Sequence, residues 1–393
     1  MRRLIENLEA FAVDVILEQR NGLRADILRS ILYFFSWFYI GITQARLRLY
    51  RNRFYRSRTT GTTVISVGNL TVGGTGKTPV VELLAKTLRD QGRKVTILSR
   101  GYKSVPEPLA VRLWGKISGK ESKFHPRIVS DGTSLLLDSR SAGDEPFMLA
   151  NNLRNVSVLV HRDRVRSGIY AVKNFSTDTL ILDDGYQYLR LKRTFEIALV
   201  DRTAPFGNEF LLPRGTLREI PRNLNRATHI FLTKCDGSDN GKIIERIRTV
   251  NPSAPIIECS HRPTILRNLT TGEVLPLDFL KRLKVGGLCA IAVPEGFYSA
   301  LRALGARVLL TKNYTDHHRF AQKEINNFIQ RCARRDIEAI LTTEKDAVRI
   351  PRITSPEIPI YYMRIEIDIR RGQQAFENLI HDITTQKKHI KNS

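Results

Sequence analysis

The chain is poor in cysteine, in methionine and in tryptophan. Its 393 residues include 4 cysteines, and no two of them form a C-x-x-C pair. Such wide separation excludes the spacing of a structural zinc site and gives no disulfide framework, so a reducing compartment fits best. A secretory signal is also missing, because Met1 leads into an acidic amphipathic segment instead of an apolar core with a cleavage site. We therefore expect the protein to stay inside the cell.

Acidic residues are few relative to basic ones. Against 39 Asp and Glu stand 63 Lys and Arg, which gives a formal net charge of +24. A basic chain of this kind is attracted to nucleic acid, to acidic lipid headgroups or to phosphorylated substrates, and charge alone does not separate the three. The hydrophobic content of 42% is enough for a large core, and the length favours two or three domains.

Long hydrophobic runs are scarce, and the main one lies near the start of the chain. Residues 4–20 have an amphipathic helical pattern, and the apolar run that follows, residues 30–42, is shorter than the roughly 20 residues of a spanning helix. A buried core helix is the alternative, but aromatic residues and a flank of arginines favour docking at an anionic membrane surface. A nucleic-acid groove is hydrated, and a single long apolar block does not suit such a surface, so we predict no nucleic-acid partner. The flanking arginines are Arg46, Arg48, Arg51, Arg53, Arg56 and Arg58.

The rest of the chain alternates short β-rich runs with helical patterns. This alternation predicts an α/β fold with a mostly parallel sheet. Turn signals predict a hairpin at Ser130–Thr133 inside an insertion at residues 105–141, and another within residues 256–282. We predict N-terminal membrane-docking helices at 1–60, a P-loop domain at 61–255, a hairpin linker at 256–282 and a smaller α/β domain at 283–393.

A glycine-rich turn lies between the apolar run at residues 64–69 and a helical pattern. Residues 73–78 are GGTGKT, in which glycines let backbone N–H groups close on phosphates. Lys77 can reach the outer phosphates, and the Thr78 hydroxyl can ligate Mg²⁺. The strict P-loop pattern has Gly where this chain has Thr71, but the order of strand, loop, Lys-Thr and helix favours a phosphate cradle over a chance turn. The predicted nucleotide-binding residues are Thr71, Val72, Gly73, Gly74, Thr75, Gly76, Lys77 and Thr78.

Two acidic pairs follow as candidates. Asp183 and Asp184 end a strand-like run, where a nucleotide–Mg²⁺ site takes a second acid, although such a pair can also cap a turn. Asp144 and Glu145 directly precede an apolar helix, where acids also serve as N-caps. Because the chain also has a P-loop, metal binding is the favoured interpretation of Asp183 and Asp184. For the second pair both interpretations stay open at this point.

Three further motifs have less specific patterns. Arg100 ends a strand and is either a phosphate clamp or a solvated arginine. The cluster Asp316-His317-His318 has no third metal ligand at a suitable spacing, so proton transfer or substrate contact outranks metal binding. The run at residues 233–236, TKCD, follows an apolar strand as a guanine-recognition motif would, which keeps a membrane-associated P-loop GTPase or ATPase switch as the alternative function.

Taken together, these motifs resemble the tetraacyldisaccharide 4′-kinase family of lipid A synthesis. The matching runs occur in the family's order between positions 66 and 350: SVGNLTVGGTGKTP, LSRGYK, GDEPFMLA, ILDDGYQ, LLPRGTLRE, VPEGFYSAL, YTDHHRF and LTTEKDAVRI. Departures from the family pattern occur at Tyr188 and at Thr315. Such a combination is far more specific than a P-loop alone.

The resemblance implies an activity and a set of roles. The family transfers the γ-phosphoryl group of ATP to the 4′-hydroxyl of an acylated glucosamine disaccharide 1-phosphate at the cytoplasmic face of the inner membrane, where we expect a peripheral monomer. Its fold is a P-loop domain joined by a hairpin to a smaller α/β domain, with an N-terminal membrane-contacting helix. The residues implied are Lys77 and Thr78 for ATP and Mg²⁺, Arg100 for phosphate, Glu145, Asp183 and Asp184 for the metal region, Asp144 as base and His317 as its partner.

Overall fold

The computed structural model describes residue 8, residues 11–101 and residues 125–386. Several predictions concern residues outside these ranges, namely the first turns of the amphipathic segment at 4–20, most of the insertion at 105–141 and the tail after residue 386. Within the described ranges the chain forms two compact units, and each is treated separately below. Unit 1 comprises Met1–Ser99, Asp163–Ser260 and Ile369–Ser393, and unit 2 comprises Arg100–Arg162 and His261–Asp368. The domain limits given above stay a prediction.

Unit 1 contains a parallel sheet in the order β8-β7-β6-β1-β5-β2. Every residue of β1, β2, β5 and β6 is buried, as expected for strands covered by helices on both faces. Because such strands are continuous apolar runs in the sequence, the pattern predicted them correctly. The strands are β1 (Thr63–Asn69), β2 (Val95–Ser99), β5 (Thr179–Asp183), β6 (Phe195–Asp201), β7 (His229–Thr233) and the start of β8 (Ile256–Asn268).

Five α-helices of unit 1 are described with both of their ends. α2 follows β1 and buries Val80, Val81, Leu84 and Leu88 completely, which fixes its first turn at the end of β1. The helices are α1 (Leu23–Arg51), α2 (Lys77–Asp90), α5 (Arg164–Phe175), α6 (Gly241–Val250) and α10 (Gln373–Thr385), with a 3-10 turn at Pro221–Arg226. Residues 11–16 are also helical.

The apolar run near the N-terminus lies inside a longer helix than the sequence pattern predicted. α1 has 29 residues, and by length and composition alone it could cross a membrane. Because the helix extends beyond the apolar run on both sides, the length of that run alone does not exclude a spanning helix. However, the middle of α1 packs on the rest of unit 1. Ser36 Oγ donates to the carbonyl of Leu211 at 2.9 Å, and Tyr39 Oη donates to the carbonyl of Arg218 at 3.1 Å. The opposite face exposes apolar side chains.

Unit 2 contains the strand order β11-β10-β12-β13-β8, with β9 antiparallel to β8. The β8–β9 pair is the hairpin expected within residues 256–282. Unit 2 also holds β3 paired antiparallel with β4. Its strands are β3 (Arg127–Ser130), β4 (Ser157–Val160), β9 (Val274–Pro276), β10 (Lys284–Cys289), β11 (Arg307–Asn313), β12 (Ala339–Thr343) and most of β13 (Ile360–Arg371), and its helices are α3 (Ser139–Ala142), α4 (Asp144–Asn152), α7 (Pro294–Ala303), α8 (Gln322–Ala333) and α9 (Glu344–Ala347), with a 3-10 turn at Leu277–Leu280.

The turn predicted at Ser130–Thr133 forms, but the two-stranded hairpin does not. Asp131 Oδ1 accepts from the backbone N–H groups of Thr133 and Ser134, both at 2.8 Å, which closes the turn. After it, only an isolated bridge joins Ser130 to Leu135. The regular partner of β3 is β4, with which it pairs antiparallel, so the predicted hairpin is reduced to this single bridge.

Two adjacent glycines in β10 allow helices to approach the strand closely. A Cβ added at Gly287 would lie 2.3 Å from Tyr298 Cε1 of α7, and one added at Gly286 would lie 2.7 Å from Cys332 Sγ of α8. Both distances are far below van der Waals contact, so a larger residue at either position would push the neighbouring helix away from β10. The core of unit 2 therefore depends on these glycines.

Candidate active site

The phosphate loop of unit 1 has the conformation that its glycines permit. Gly73 has φ 119° and Gly76, the residue before α2, has φ 80°, both in the region that favours glycine. Since Gly76 has no side chain, the first N–H groups of α2 are not capped by it. A helix start of this kind, closed by a glycine turn, is a ready anion site.

Lys77, the first residue of α2, lies within reach of the acidic end of β5. Its Nζ donates to Asn69 Oδ1 at 3.3 Å and lies 3.8 Å from Asp184 Oδ1. Thr78, the next residue, is half-buried. The structure thus brings the predicted lysine together with one of the three acidic residues predicted for the metal, Asp184.

The two aspartates at the end of β5 have different surroundings. Asp183 is 2% exposed, and its Oδ2 accepts from Ser99 Oγ at 3.0 Å. Asp184 has a left-handed backbone with φ 49°, and both of its carboxylate oxygens accept from Arg218 Nη1 at 2.8 Å. Burial would raise the pKa of the Asp184 carboxyl, but Lys77, Arg218 and Arg164 outweigh it and hold the pKa below its ordinary value.

The donor set at the end of β5 suits magnesium. Within the described residues there is no group of three or more His, Cys, Asp or Glu side chains placed to hold a metal ion. Mg²⁺, however, usually takes one or two carboxylates together with nucleotide phosphates and water, so a full protein cage is not required. The carboxylates of Asp183 and Asp184 and the hydroxyl of Thr78 are oxygen ligands of the hard type that Mg²⁺ prefers.

A cleft of about 330 Å³ borders the phosphate loop. The ends of β6 and β7 meet there, where Lys234 Nζ lies 2.5 Å from Asp201 Oδ2. Thr233 Oγ1 donates to the carbonyl of Thr75 at 2.9 Å, which ties the end of β7 to the loop. Loop residues that line the cleft are Thr71, Val72, Gly73, Gly74 and Thr75.

The aspartate of the TKCD run is already engaged. Arg202 Nη1 donates to Asp236 Oδ2 at 2.9 Å, and Asp236 Oδ1 accepts from the backbone and side chain of Ser238. A guanine-recognising aspartate needs its carboxylate for the base. In this arrangement both oxygens of Asp236 have other partners, which weakens the guanine interpretation.

In unit 2, Asp144 and His317 lie side by side. Asp144 is the first residue of α4, and the N-cap position is occupied by Gly143, so the interpretation of Asp144 as an N-cap is wrong. The Asp144 Oδ2 to His317 Nδ1 distance is 3.7 Å, which is longer than a hydrogen bond. The structure therefore brings together the two residues that the resemblance pairs.

Two arginines hold the Asp144 carboxylate. Arg319 Nη2 donates to Oδ1 at 2.8 Å, and Arg349 Nε donates to Oδ2 at 2.9 Å. Burial would raise the pKa of Asp144, but the two arginines that donate to its carboxylate outweigh burial and leave the pKa lowered. Asp144 is thus ionised at neutral pH.

Several residues of these two clusters were missed by the sequence analysis, and two predicted ones lie outside them. Arg218 and Arg349 occur in runs that carry the family resemblance, which was the only available signal, because no local pattern marks their partners. Arg100 is exposed directly after β2, and Glu145 is half-buried after Asp144. The contacts that define the two clusters include neither of them, so their roles stay predictions.

Residues 28–385 match the family of tetraacyldisaccharide-1-P 4′-kinases, LpxK. The chain belongs to this family. The tetraacyldisaccharide 4′-kinase of Syntrophus aciditrophicus (strain SB) is 36% identical over 367 residues, which cover 89% of this chain and 91% of the relative. That of Desulfatibacillum aliphaticivorans is 32% identical, and the match covers 97% of both chains. A crystal structure of LpxK from Aquifex aeolicus in complex with ATP has 29% identity and a TM-score of 0.69, and it covers 91% of this chain and 99% of its own.

Membership of the 4′-kinase family confirms several predictions. The resemblance, the fold class of a P-loop parallel sheet with a further α/β part, and the function of an ATP-dependent phosphotransferase in lipid A synthesis are correct. A lipid A precursor is the substrate class of this family. The alternative of a nucleotide switch is not supported.

Proposed function

We propose that unit 1 binds ATP and Mg²⁺ for transfer of the γ-phosphoryl group to the 4′-hydroxyl of an acylated glucosamine disaccharide 1-phosphate. The observation that carries this proposal is the approach of Lys77 Nζ to Asp184, 3.8 Å apart, at the start of an uncapped helix. In this proposal the loop N–H groups and Lys77 hold the phosphates. The bound ion, held by Thr78, Asp183 and Asp184, would neutralise charge on the transferring group.

The acceptor hydroxyl needs a proton acceptor, and Asp144 is our candidate. Its two arginine partners keep it ionised and fix its orientation, at the expense of basicity. A weak base is adequate here, because phosphoryl transfer passes through a loose transition state in which the hydroxyl loses its proton late. We propose His317 as the partner that takes part in the same proton transfer.

For substrate delivery we propose that α1 docks at the cytoplasmic face of the inner membrane. One face of α1 packs on unit 1 through Ser36 and Tyr39, which supports a helix lying at the interface and not across the bilayer. Its other face exposes side chains suited to the headgroup boundary. They are Leu23, Ile27, Ile31, Phe34, Phe35, Trp37, Phe38 and Ile42.

The test is transfer of label from γ-labelled ATP to the lipid disaccharide 1-phosphate in mixed micelles. We expect label in the lipid with the wild type and a loss of at least about 10²-fold with Lys77→Ala, measured as kcat/KM. Wild-type rates in Lys77→Ala would remove the phosphate role of Lys77. Preference for GTP over ATP in competition would contradict the proposal as a whole.

A further inference from the structure

Arg349 is a completely buried arginine that contacts both Asp144 and His317. Its side chain is 0% exposed. Nε donates to Asp144 Oδ2 at 2.9 Å, and Nη2 lies 2.9 Å from His317 Nδ1. Nε and Nη2 form one edge of the guanidinium plane, the edge that commonly binds both oxygens of one carboxylate. Here that edge is divided between a carboxylate and an imidazole.

The chemistry of arginine determines the protonation of His317 in this arrangement. A guanidinium has five N–H donors, no acceptor, and does not lose its proton in proteins. His317 Nδ1 must therefore accept from Arg349, so it carries no hydrogen, and a neutral ring has its proton on Nε2. For the same reason Asp144 and His317 do not share a proton across their 3.7 Å separation.

The remaining contacts of Arg349 fix its position. Nη1 donates to Asp346 Oδ1 and to the carbonyl of Ala290, both at 3.0 Å. Asp346 is itself fully buried, and it accepts from the N–H of Ala290 at 3.0 Å. His317 has a left-handed backbone with φ 67°, and its N–H donates to the same Ala290 carbonyl at 3.3 Å. The guanidinium and the histidine backbone are thus tied to one point of the fold.

We propose that Arg349 is a positioning residue, which holds Asp144 Oδ2 and His317 Nδ1 side by side with both atoms free of protons. It acts through these two groups, because a side chain with no exposed surface cannot contact the substrate. The inference rests on the proposed function, in which Asp144 takes the proton of the acceptor hydroxyl. With Arg349 in place, the one lone pair of His317 Nδ1 is engaged by the guanidinium, and the charged Asp144 Oδ2 lies next to the ring before the reaction begins.

The kinetic test compares Arg349→Lys with Arg319→Ala, each alone and combined with His317→Ala. Lysine keeps the charge but, as a point charge, cannot bridge the carboxylate and the ring. We expect Arg349→Lys to lower kcat at least about 10-fold with little change in the KM for ATP, and to add little in the His317→Ala background. Arg319 also donates to Asp144, at Oδ1, so Arg319→Ala removes one guanidinium from the same carboxylate and keeps the Arg349 bridge between Asp144 Oδ2 and His317 Nδ1. His317→Ala should therefore still lower kcat further in the Arg319→Ala background.

A second measurement reports the tautomer directly. With ¹⁵N-labelled histidine, the wild-type signal that disappears in His317→Ala should show an unprotonated Nδ1 and a protonated Nε2, and Arg349→Lys should alter that signal. A merely structural arginine would not have this effect. Thermal melting checks that each variant is folded. If Arg349→Lys does not fold, it is replaced in these experiments by the double variant Asp346→Asn with Arg349→Gln. That variant removes both charges of the buried Asp346–Arg349 pair.

Three outcomes would overturn the inference: an unchanged kcat, additivity of Arg349→Lys with His317→Ala, or a proton on Nδ1 of His317. Failure of the proposed function is distinguishable from these, because the wild type itself would then transfer no label to the lipid. If the wild type is active and Arg349→Lys is inactive, but its loss adds to that of His317→Ala, the proposed function stands and the positioning role of Arg349 is removed.

Discussion

At the residue scale, charge neutralisation decides the state of both acidic clusters. Asp184 and Asp144 are partly or largely buried carboxylates, for which burial raises the pKa, yet both remain ionised because arginines donate to them at 2.8–2.9 Å. In unit 1 Arg218 and Lys77 match the charge of Asp184, at the strand end where we propose that a divalent ion binds. In unit 2 the two guanidinium groups fix the orientation of the Asp144 carboxylate and lower its basicity.

The role of Asp144 can be tested against a purely structural one. Asp144→Asn keeps an oxygen acceptor for Arg349 but cannot take a proton, so we expect kcat to fall by about 10²-fold or more. Loss of charged hydrogen bonds should lower the free energy of unfolding by roughly 1–3 kcal/mol. The measurements are steady-state kinetics and a thermal melt.

A matched control is Asp138→Asn. Asp138 is an exposed N-cap of α3, and its carboxylate accepts from the N–H of Ser141 at 2.8 Å. Since Asn caps nearly as well as Asp, both kcat and stability should stay close to wild type. A full kcat in Asp144→Asn, with or without a change in stability, would show that Asp144 is not the base.

How far the sequence predicts these residues depends on how local their partners are. Lys77 and Thr78 follow from a motif, since strand, loop and helix start lie within a few residues of one another. The pair of Asp144 with Arg349 is separated by 205 positions, and no spacing rule connects them. Only the family resemblance singled out both the run that contains Asp144 and the run that contains Arg349, and it assigned no role to Arg349.

At the element scale, strands were predicted better than the N-terminal helix. Parallel strands that are buried on both faces leave a continuous apolar run in the sequence, so β1, β5 and β6 were recognisable. The apolar run at 30–42 marks only the middle of α1, because the polar residues before and after it also favour helix. Strand pairing after β3 was not predictable either, because partners are set by packing.

Packing of α7 against β10 gives a stability prediction. Gly287→Ala introduces a Cβ 2.3 Å from Tyr298 Cε1, so we expect a loss of about 1–3 kcal/mol or more in the free energy of unfolding. Gly296→Ala, within α7 itself, meets nothing within 4 Å and should stabilise by roughly 0.5–1 kcal/mol. Chemical denaturation of the two variants measures both. A neutral Gly287→Ala would mean that α7 can shift away from the strand.

The exposed face of α1 gives a binding prediction. Replacing Phe34, Trp37 and Phe38 with serine removes apolar side chains that are 58–63% exposed, so folding should be little affected. Flotation with anionic vesicles should fall strongly, because burial of these side chains at the interface drives docking. Serine at Val274 and Val293, which are exposed apolar residues of unit 2, is the control. Equal flotation in both variants would contradict docking through α1.

At the scale of the whole molecule, each compact unit is assembled from separate stretches of chain. Unit 2 combines residues 100–162 with residues 261–368, and unit 1 takes three stretches. Composition and turn signals show where the pattern of a sequence changes. They give no information on the long-range contacts that decide which stretches of chain pack together. Fold class was therefore accessible from the sequence, whereas this division was not.

The net charge of +24 is also a property of the whole molecule, and its location can be tested at constant net charge. One variant replaces Arg48, Arg51, Arg53 and Arg56 with glutamine, and the other replaces Lys323, Arg331, Arg334 and Arg335. All eight side chains are exposed. If these four arginines, in the last turn of α1 and just after it, face the membrane, the first variant should lose about 1 kcal/mol of vesicle binding per charge at low salt, and the second very little.

Salt and lipid charge sharpen this comparison. At 1 M salt the Debye length falls to about 3 Å, so the first variant and the wild type should bind anionic vesicles equally, through the apolar face of α1 alone. On neutral vesicles the two should not differ at any salt concentration. Equal losses in both variants would mean that net charge acts over the whole surface, and the arginines at the end of α1 would then have no special part in membrane docking.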